Sequence, residues 1–149
     1  MARHAHTKNT HVSAAETEPG FALYQGTNGD DALIVGTDGN DVIRTGSGND
    51  LIIAGLGADT GFFDWEVQTW KLLSAADSPI RAGDTLINFN YGGVLDKIDL
   101  TAFGITLDDI TVSGADQNWQ IEIDTNGDFV ADMGIGIVGA QPVDDNFMV

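Results

Sequence analysis

The sequence predicts an all-β fold, a right-handed parallel β-roll of nonapeptide repeats followed by a C-terminal β-sandwich-like lobe. Three observations carry that expectation. Asp31, Asp41, Asp50 and Asp59 recur at spacings of ten, nine and nine, an internal period of the kind repeat architectures show. Each stands two residues after a glycine (Gly29, Gly39, Gly48, Gly57), and the first three are followed two residues later by an apolar residue, Leu33, Ile43 or Ile52, with Gly61 in that place in the fourth. Beyond Asp59 the chain turns aromatic and aliphatic, and Phe62, Phe63, Trp65 and Trp70 can supply the core that thin repeats lack.

Residues 1–20 come first, polar and without an apolar signal-peptide core, and read as a disordered tail or linker. His4, His6 and His11 lie there with no carboxylates arranged around them, so they read as solvated rather than metal-binding. The repeats occupy residues 21–62. Glycines at alternate positions let the backbone turn tightly and expose carbonyl oxygens on one side of each loop, and the aspartate adds a carboxylate among them. The triplets that follow (Ala32-Leu33-Ile34, Val42-Ile43-Arg44, Leu51-Ile52-Ile53) are too short for helices and suit strands whose central residue points inward. Two repeats make one coil, so the first loop stacks on the third and the second on the fourth. Asp31 then faces Asp50, and Asp41 faces Asp59. Like charges so placed repel unless a divalent cation lies between them, and Ca²⁺, which accepts roughly six to eight oxygens in flexible geometry, suits them better than Mg²⁺. The expected metal-binding set is those four aspartates with Gly26, Asn28, Asp30, Gly36, Asp38, Asn40, Ser47 and Asn49 of the same loops.

With Gly26-Thr27, Gly36-Thr37, Thr45-Gly46 and Ala54-Gly55 completing each unit, the segment from Gly26 to about Thr60 resembles the RTX calcium-binding repeats of proteins exported by type I secretion. Thr27 and Thr37 depart from the glycine of that pattern. The resemblance implies Ca²⁺ as the bound ion, an extracellular location and an exporter as a partner.

Residues 63–149 form the second lobe. Trp65 to Asp77 mixes helical and strand-like residues and reads as a short helix or an irregular excursion. Asp84-Thr85-Leu86-Ile87-Asn88-Phe89 and Asp96-Lys97-Ile98-Asp99-Leu100-Thr101-Ala102-Phe103 are similar to recurrent sheet-forming segments of the serralysin-type C-terminal domain. Asp124, Asn126, Asp128 and Asp132 hold positions one, three, five and nine of a calcium-loop-like stretch, but the glycine stands at position four and Ile135 takes the twelfth. Asn126-Gly127 between alternating apolar runs favours a hairpin instead, with Ile121 and Ile123 on one arm and Met133, Ile135 and Ile137 on the other. The closing Asp144-Asp145-Asn146-Phe147-Met148-Val149 looks like the uncleaved C-terminal signal of type I substrates.

Charge and composition narrow the function. A formal charge of −17 over 149 residues repels nucleic acid and anionic lipid and makes cations the natural partners, and no apolar run is long enough for membrane insertion. Cysteine is absent, which removes disulfides and thiol nucleophiles. There is no H-E-x-x-H and no G-x-S-x-G. The reading is therefore non-catalytic: a module that folds on Ca²⁺ outside the cell and supports secretion and stability of an extracellular protein. The alternative is a calcium-dependent polysaccharide-binding module, drawing on Lys71, Arg81 and Lys97 with Trp65, Trp70, Tyr91 and Trp119.

Overall fold

The computed structural model describes residues 15–18 and 21–149. Its strands are β1 (Ala15–Glu18), β2 (Phe21–Gln25), β3 (Ile34–Val35), β4 (Val42–Arg44), β5 (Leu51–Ile53), β6 (Thr60–Phe62), β7 (Thr69–Lys71), β8 (Thr85–Phe89), β9 (Lys97–Asp99), β10 (Ile110–Ala115), β11 (Asn118–Ile123), β12 (Met133–Gly139) and β13 (Phe147–Met148). Short 3₁₀ turns at Tyr91–Gly93, Leu107–Asp109 and Asp144–Asn146 are the helical elements among the described residues.

Consecutive repeats alternate between two sheets. One runs β1-β2-β4-β6-β8-β12-β11-β10 and the other β13-β9-β7-β5-β3. The strands of the repeats pair in parallel, which requires each link between neighbours in a sheet to pass through the opposite sheet. Strands of two or three residues bring one inward side chain each, so the core is a pair of facing rows. Tyr24, Ile43, Gly61, Leu86 and Ile137 are successive partners across the first sheet. Ile34, Ile52, Trp70, Ile98 and Phe147 are successive partners across the second. Gly61 takes an apolar position because the Trp70 ring fills it: a Cβ there would lie 2.6 Å from the ring.

Four sequence expectations need correction. Ile34, fully buried and paired with Ile52, is the inward residue of the first repeat, whereas Leu33 is only half-buried. The extra residue of the ten-residue spacing therefore lies between Asp31 and the strand. Within Trp65 to Asp77, expected as a short helix or an irregular excursion, Thr69–Lys71 is a strand, because its edge continues the stack from β5 to β9, and the residues around it are irregular. Parallel pairing does not stop at residue 62 but runs on through β7, β8, β9 and β13, so the segment 63–149 begins inside the roll. Ala15–Glu18, expected in an unstructured tail, pairs antiparallel with β2. The rest of 1–20, including His4, His6 and His11, lies outside the described residues. The end of the roll is covered by the antiparallel set β10-β11-β12, whose Ile121, Ile123, Met133, Ile135 and Ile137 are buried.

Candidate metal centre

The repeat aspartates are buried despite their charge: Asp31, Asp41, Asp50 and Asp59 are 1–3% exposed. Each packs where a loop enters its strand, and main-chain hydrogen bonds link one loop to the next. The Asp31 N–H donates to Asp50 Oδ1 (2.7 Å) and the Asp41 N–H donates to Asp59 Oδ1 (2.7 Å). Asp31 thus stands by Asp50, and Asp41 by Asp59. Flanking side chains repeat the pattern outside: Asp30 Oδ1 accepts from the Asn49 N–H, and Asn40 Oδ1 accepts from the Ala58 N–H. Asn28, Asp38 and Ser47 are exposed, and Gly26 and Gly36 lie at the inter-loop contact.

The second carboxylate oxygen divides the four aspartates into two kinds. Thr27 donates its main-chain N–H to Asp31 Oδ2 (2.8 Å) and its hydroxyl to Asp31 Oδ1 (2.8 Å). Thr37 serves Asp41 in the same way. In the third and fourth repeats Gly46 and Gly55 hold the threonine position, at φ of 85° and 100°, a region that favours glycine. No hydroxyl is available there, and Asp50 Oδ2 and Asp59 Oδ2 are buried with no hydrogen-bond partner. Burial, with charge from neighbouring carboxylates, pushes the Asp50 carboxyl up to about 7 and Asp59 up to about 8. Among the described residues the salt bridge is Lys71–Asp99, so no basic side chain neutralises this row.

The row extends beyond the four repeats. Asp84 Oδ1 accepts from the Asp59 N–H (3.0 Å), and Asp96 Oδ1 accepts from the Gln68 N–H (2.9 Å). Their second oxygens are served, Asp84 Oδ2 by the Trp70 indole N–H and Asp96 Oδ2 by the Asn90 N–H. Sequence reasoning took Asp84 and Asp96 only as markers of strands. Their signal was the aspartate one residue before the strand and two before its inward residue, Leu86 or Ile98, as in the repeats.

A buried, unpartnered carboxylate oxygen is costly unless something binds it. A hard cation meets that need, and the surroundings suit one: glycine-lined loops, main-chain carbonyls and uncompensated carboxylates. Among the described residues no three His, Cys, Asp or Glu side chains converge as a metal cage. A cation in these loops must therefore combine carboxylate with neutral main-chain oxygen, which is Ca²⁺ chemistry.

The other candidate features are not assembled in this way. Asp124 to Asp132 form a nine-residue loop between β11 and β12, wider than a tight Asn-Gly turn, although the arms pair Ile121 with Ile135 and Ile123 with Met133. Its carboxylates serve the loop itself: Asp124 accepts from the N–H groups of Asn126, Gly127 and Phe129, and Asp132 from Thr125. Of the side chains suited to sugar contact, Trp70 is fully buried, Lys71 pairs with Asp99 and Lys97 donates to the Asp145 carbonyl. Trp65 and Tyr91 are exposed and meet edge to face, ring centroids 4.7 Å apart.

Residues 25–61 match the RTX calcium-binding nonapeptide repeat in four copies. The repeats make Ca²⁺ the ion this chain binds. No curated protein matches the chain. Among solved structures it is similar to the AlgE6R3 subunit of the Azotobacter vinelandii mannuronan C5-epimerase, at 23% identity and a TM-score of 0.66, over 85% of this chain and 76% of that one. The AlgE6R2 subunit of the same enzyme matches at 20% identity and a TM-score of 0.61, over 90% of this chain and 94% of that one. The likeness is one of fold.

Proposed function

We propose that the chain is a non-catalytic module that folds on Ca²⁺ outside the cell and so supports type I secretion and the stability of an extracellular protein. The observation that carries the reading is the pair of buried, unpartnered oxygens, Asp50 Oδ2 and Asp59 Oδ2, in loops stacked on Asp31 and Asp41. Ca²⁺ bound between the first and third loops, and between the second and fourth, neutralises these carboxylates and satisfies the oxygens. Asp31, Asp41, Asp50 and Asp59 are its charged ligands. Oxygens of Gly26, Asn28, Asp30, Gly36, Asp38, Asn40, Ser47 and Asn49 complete the loops' supply. Where calcium is scarce, mutual repulsion within a chain of net charge −17 opposes ordering of strands this short, and the repeats remain fit for threading through an exporter. Outside, calcium binds the folded form and draws the equilibrium to it by mass action. The aspartate loops of the parallel roll act as the switch, the antiparallel set β10-β11-β12 as its cap, and Asp144 to Val149 as the export signal.

The test is far-ultraviolet circular dichroism after chelation, with calcium and magnesium titrations of the wild type and of Asp50→Ala and Asp41→Ala. A calcium-driven gain of β signal, weakened in each variant and poorly reproduced by magnesium, is expected. A spectrum indifferent to chelator and calcium would overturn the folding switch.

One observation supports a second reading, calcium-dependent polysaccharide binding. Trp65 and Tyr91 present an exposed aromatic pair beside a groove lined by Asn88, Asn90 and Gln117, the mixture of stacking faces and amides that sugars use. Affinity electrophoresis through alginate with calcium separates the readings: retardation lost in Trp65→Ala supports the binding module, and free migration removes it.

A further inference from the structure

We infer that a further divalent-cation site lies between the third repeat and the turn Phe63 to Gln68, outside the consensus repeats. The inference rests on the calcium reading above and extends it to a turn whose sequence no longer shows the pattern. Phe63 to Lys71 nevertheless occupies a fifth repeat. Gln68 stands nine residues after Asp59, Trp70 takes the inward place between Ile52 and Ile98, and the Val67 N–H donates to Asn49 Oδ1 just as the Asn49 N–H donates to Asp30 Oδ1. What has changed is the loop chemistry. Asp64 stands where the third repeat has Gly46, Glu66 where it has Gly48, and Gln68 where it has Asp50.

These replacements gather oxygen. Glu66 Oε2 accepts from the Gly48 N–H at 2.8 Å, which fixes the fifth loop on the third. Gln68 is fully buried, and its Nε2 sits among three oxygens: the Gly48 carbonyl at 2.9 Å, Asp64 Oδ1 at 2.9 Å and the Glu66 carbonyl at 3.3 Å. A primary amide has two hydrogens, so three acceptors exceed what this nitrogen can serve well. Its own Oε1 is buried with no partner. Rotation of the amide about its last torsion exchanges the two atoms and brings Oε1 to the point the three oxygens surround. Two main-chain carbonyls, one carboxylate and one amide oxygen then converge, while Asp50, with its unpartnered Oδ2, adds charge from the loop below. No basic group pairs with Asp50, Asp64 or Glu66 among the described residues. Mixed neutral and anionic oxygen around one point is the environment of a calcium-sized ion, and the exposed Trp65 and Glu66 leave a way in.

The test counts ions on the full chain by native mass spectrometry, wild type against Asp64→Ala, and reads terbium bound in place of calcium by emission excited through tryptophan. Asp64→Ala is expected to lose one ion per chain while keeping the calcium-induced β signal, and Trp65→Phe to lose the part of the sensitised emission that Asp64→Ala also loses, Trp70 beside Asp84 sensitising the consensus sites in both. An unchanged ion count in Asp64→Ala overturns this site and leaves the consensus sites standing. A wild type that binds no calcium overturns both readings. Gln68→Glu provides a check should Asp64→Ala not fold: an added carboxylate at this point should tighten one binding step by about tenfold, and unaltered affinities count against the site.

Discussion

Whether a glycine or a threonine stands at the second position of each loop decides the state of the carboxylate four residues on in the same loop: Thr27 and Thr37 saturate Asp31 and Asp41, and Gly46 and Gly55 leave one oxygen of Asp50 and Asp59 bare. The bare pair gives the metal-free protein a definite pH dependence. Burial raises Asp50 to about 7 and Asp59 to about 8 from an ordinary value of 3.8, so between those limits the folded chain holds protons that the unfolded chain has released. Their contribution to apo stability is complete below about pH 4 and is lost as pH rises through 7 to 8. Calcium competes with the same protons, so its affinity rises over the same window. Chelated protein should resist urea better at pH 5 than at pH 9, and Asp50→Asn with Asp59→Asn should reduce the difference, the remainder coming from Asp84 and Asp96, which burial raises to about 7 and about 6. Equal resistance at both pH values in the wild type would show that these carboxylates do not set the balance. The spacing of the aspartates was legible in the sequence. The division between them was not, because it depends on which oxygen the threonine reaches.

At the scale of the element, a strand of two or three residues has no stability of its own and exists through the row it joins. That is why the sequence misread two of them. The extra residue of the first repeat moves the inward place from Leu33 to Ile34, a shift that alternation alone cannot locate. Thr69–Lys71, flanked by residues of mixed propensity, is a strand because β5 and β9 offer it edges on both sides. The register is testable. Ile34→Ala should cost about 2–5 kcal/mol in calcium-saturated protein, the range for truncating a buried aliphatic side chain, and Leu33→Ala clearly less. Urea unfolding of the two variants decides it, and a larger loss at Leu33 would restore the simpler register. Contact between loops is just as restrictive. A Cβ at Gly36 would lie 1.9 Å from the Ala54 carbonyl oxygen, a main-chain atom that cannot give way. Gly36→Ala should therefore part the second loop from the fourth and lower the melting temperature in calcium. A melting temperature equal to that of the wild type would mean that the loops do not approach so closely.

Over the whole molecule, acid and apolar residues are unevenly divided. The repeats bury single aliphatic residues, Ile34, Ile43 and Ile52, beneath rows of buried aspartate, whereas the cap assembles Ile121, Ile123, Met133, Ile135 and Ile137 against Leu86 and Phe89. The composition shift after Asp59 foretold this asymmetry, although the parallel pairing that carries the roll into the cap lay beyond it. Apolar burial stabilises without metal, while a row of unneutralised carboxylates does the opposite. Calcium removal at neutral pH should accordingly act from one end. Amide hydrogen exchange followed by mass spectrometry, with and without chelator, should find protection lost first in β2 to β6 and retained longest in β11 and β12, whose pairing makes no use of the aspartate loops. Restoring calcium should return protection to the repeats from the side nearest the cap, because β8 already presents an edge for β6. Simultaneous loss of protection throughout would instead mean that β6 and β8 couple roll and cap into one cooperative unit, with the ion holding both.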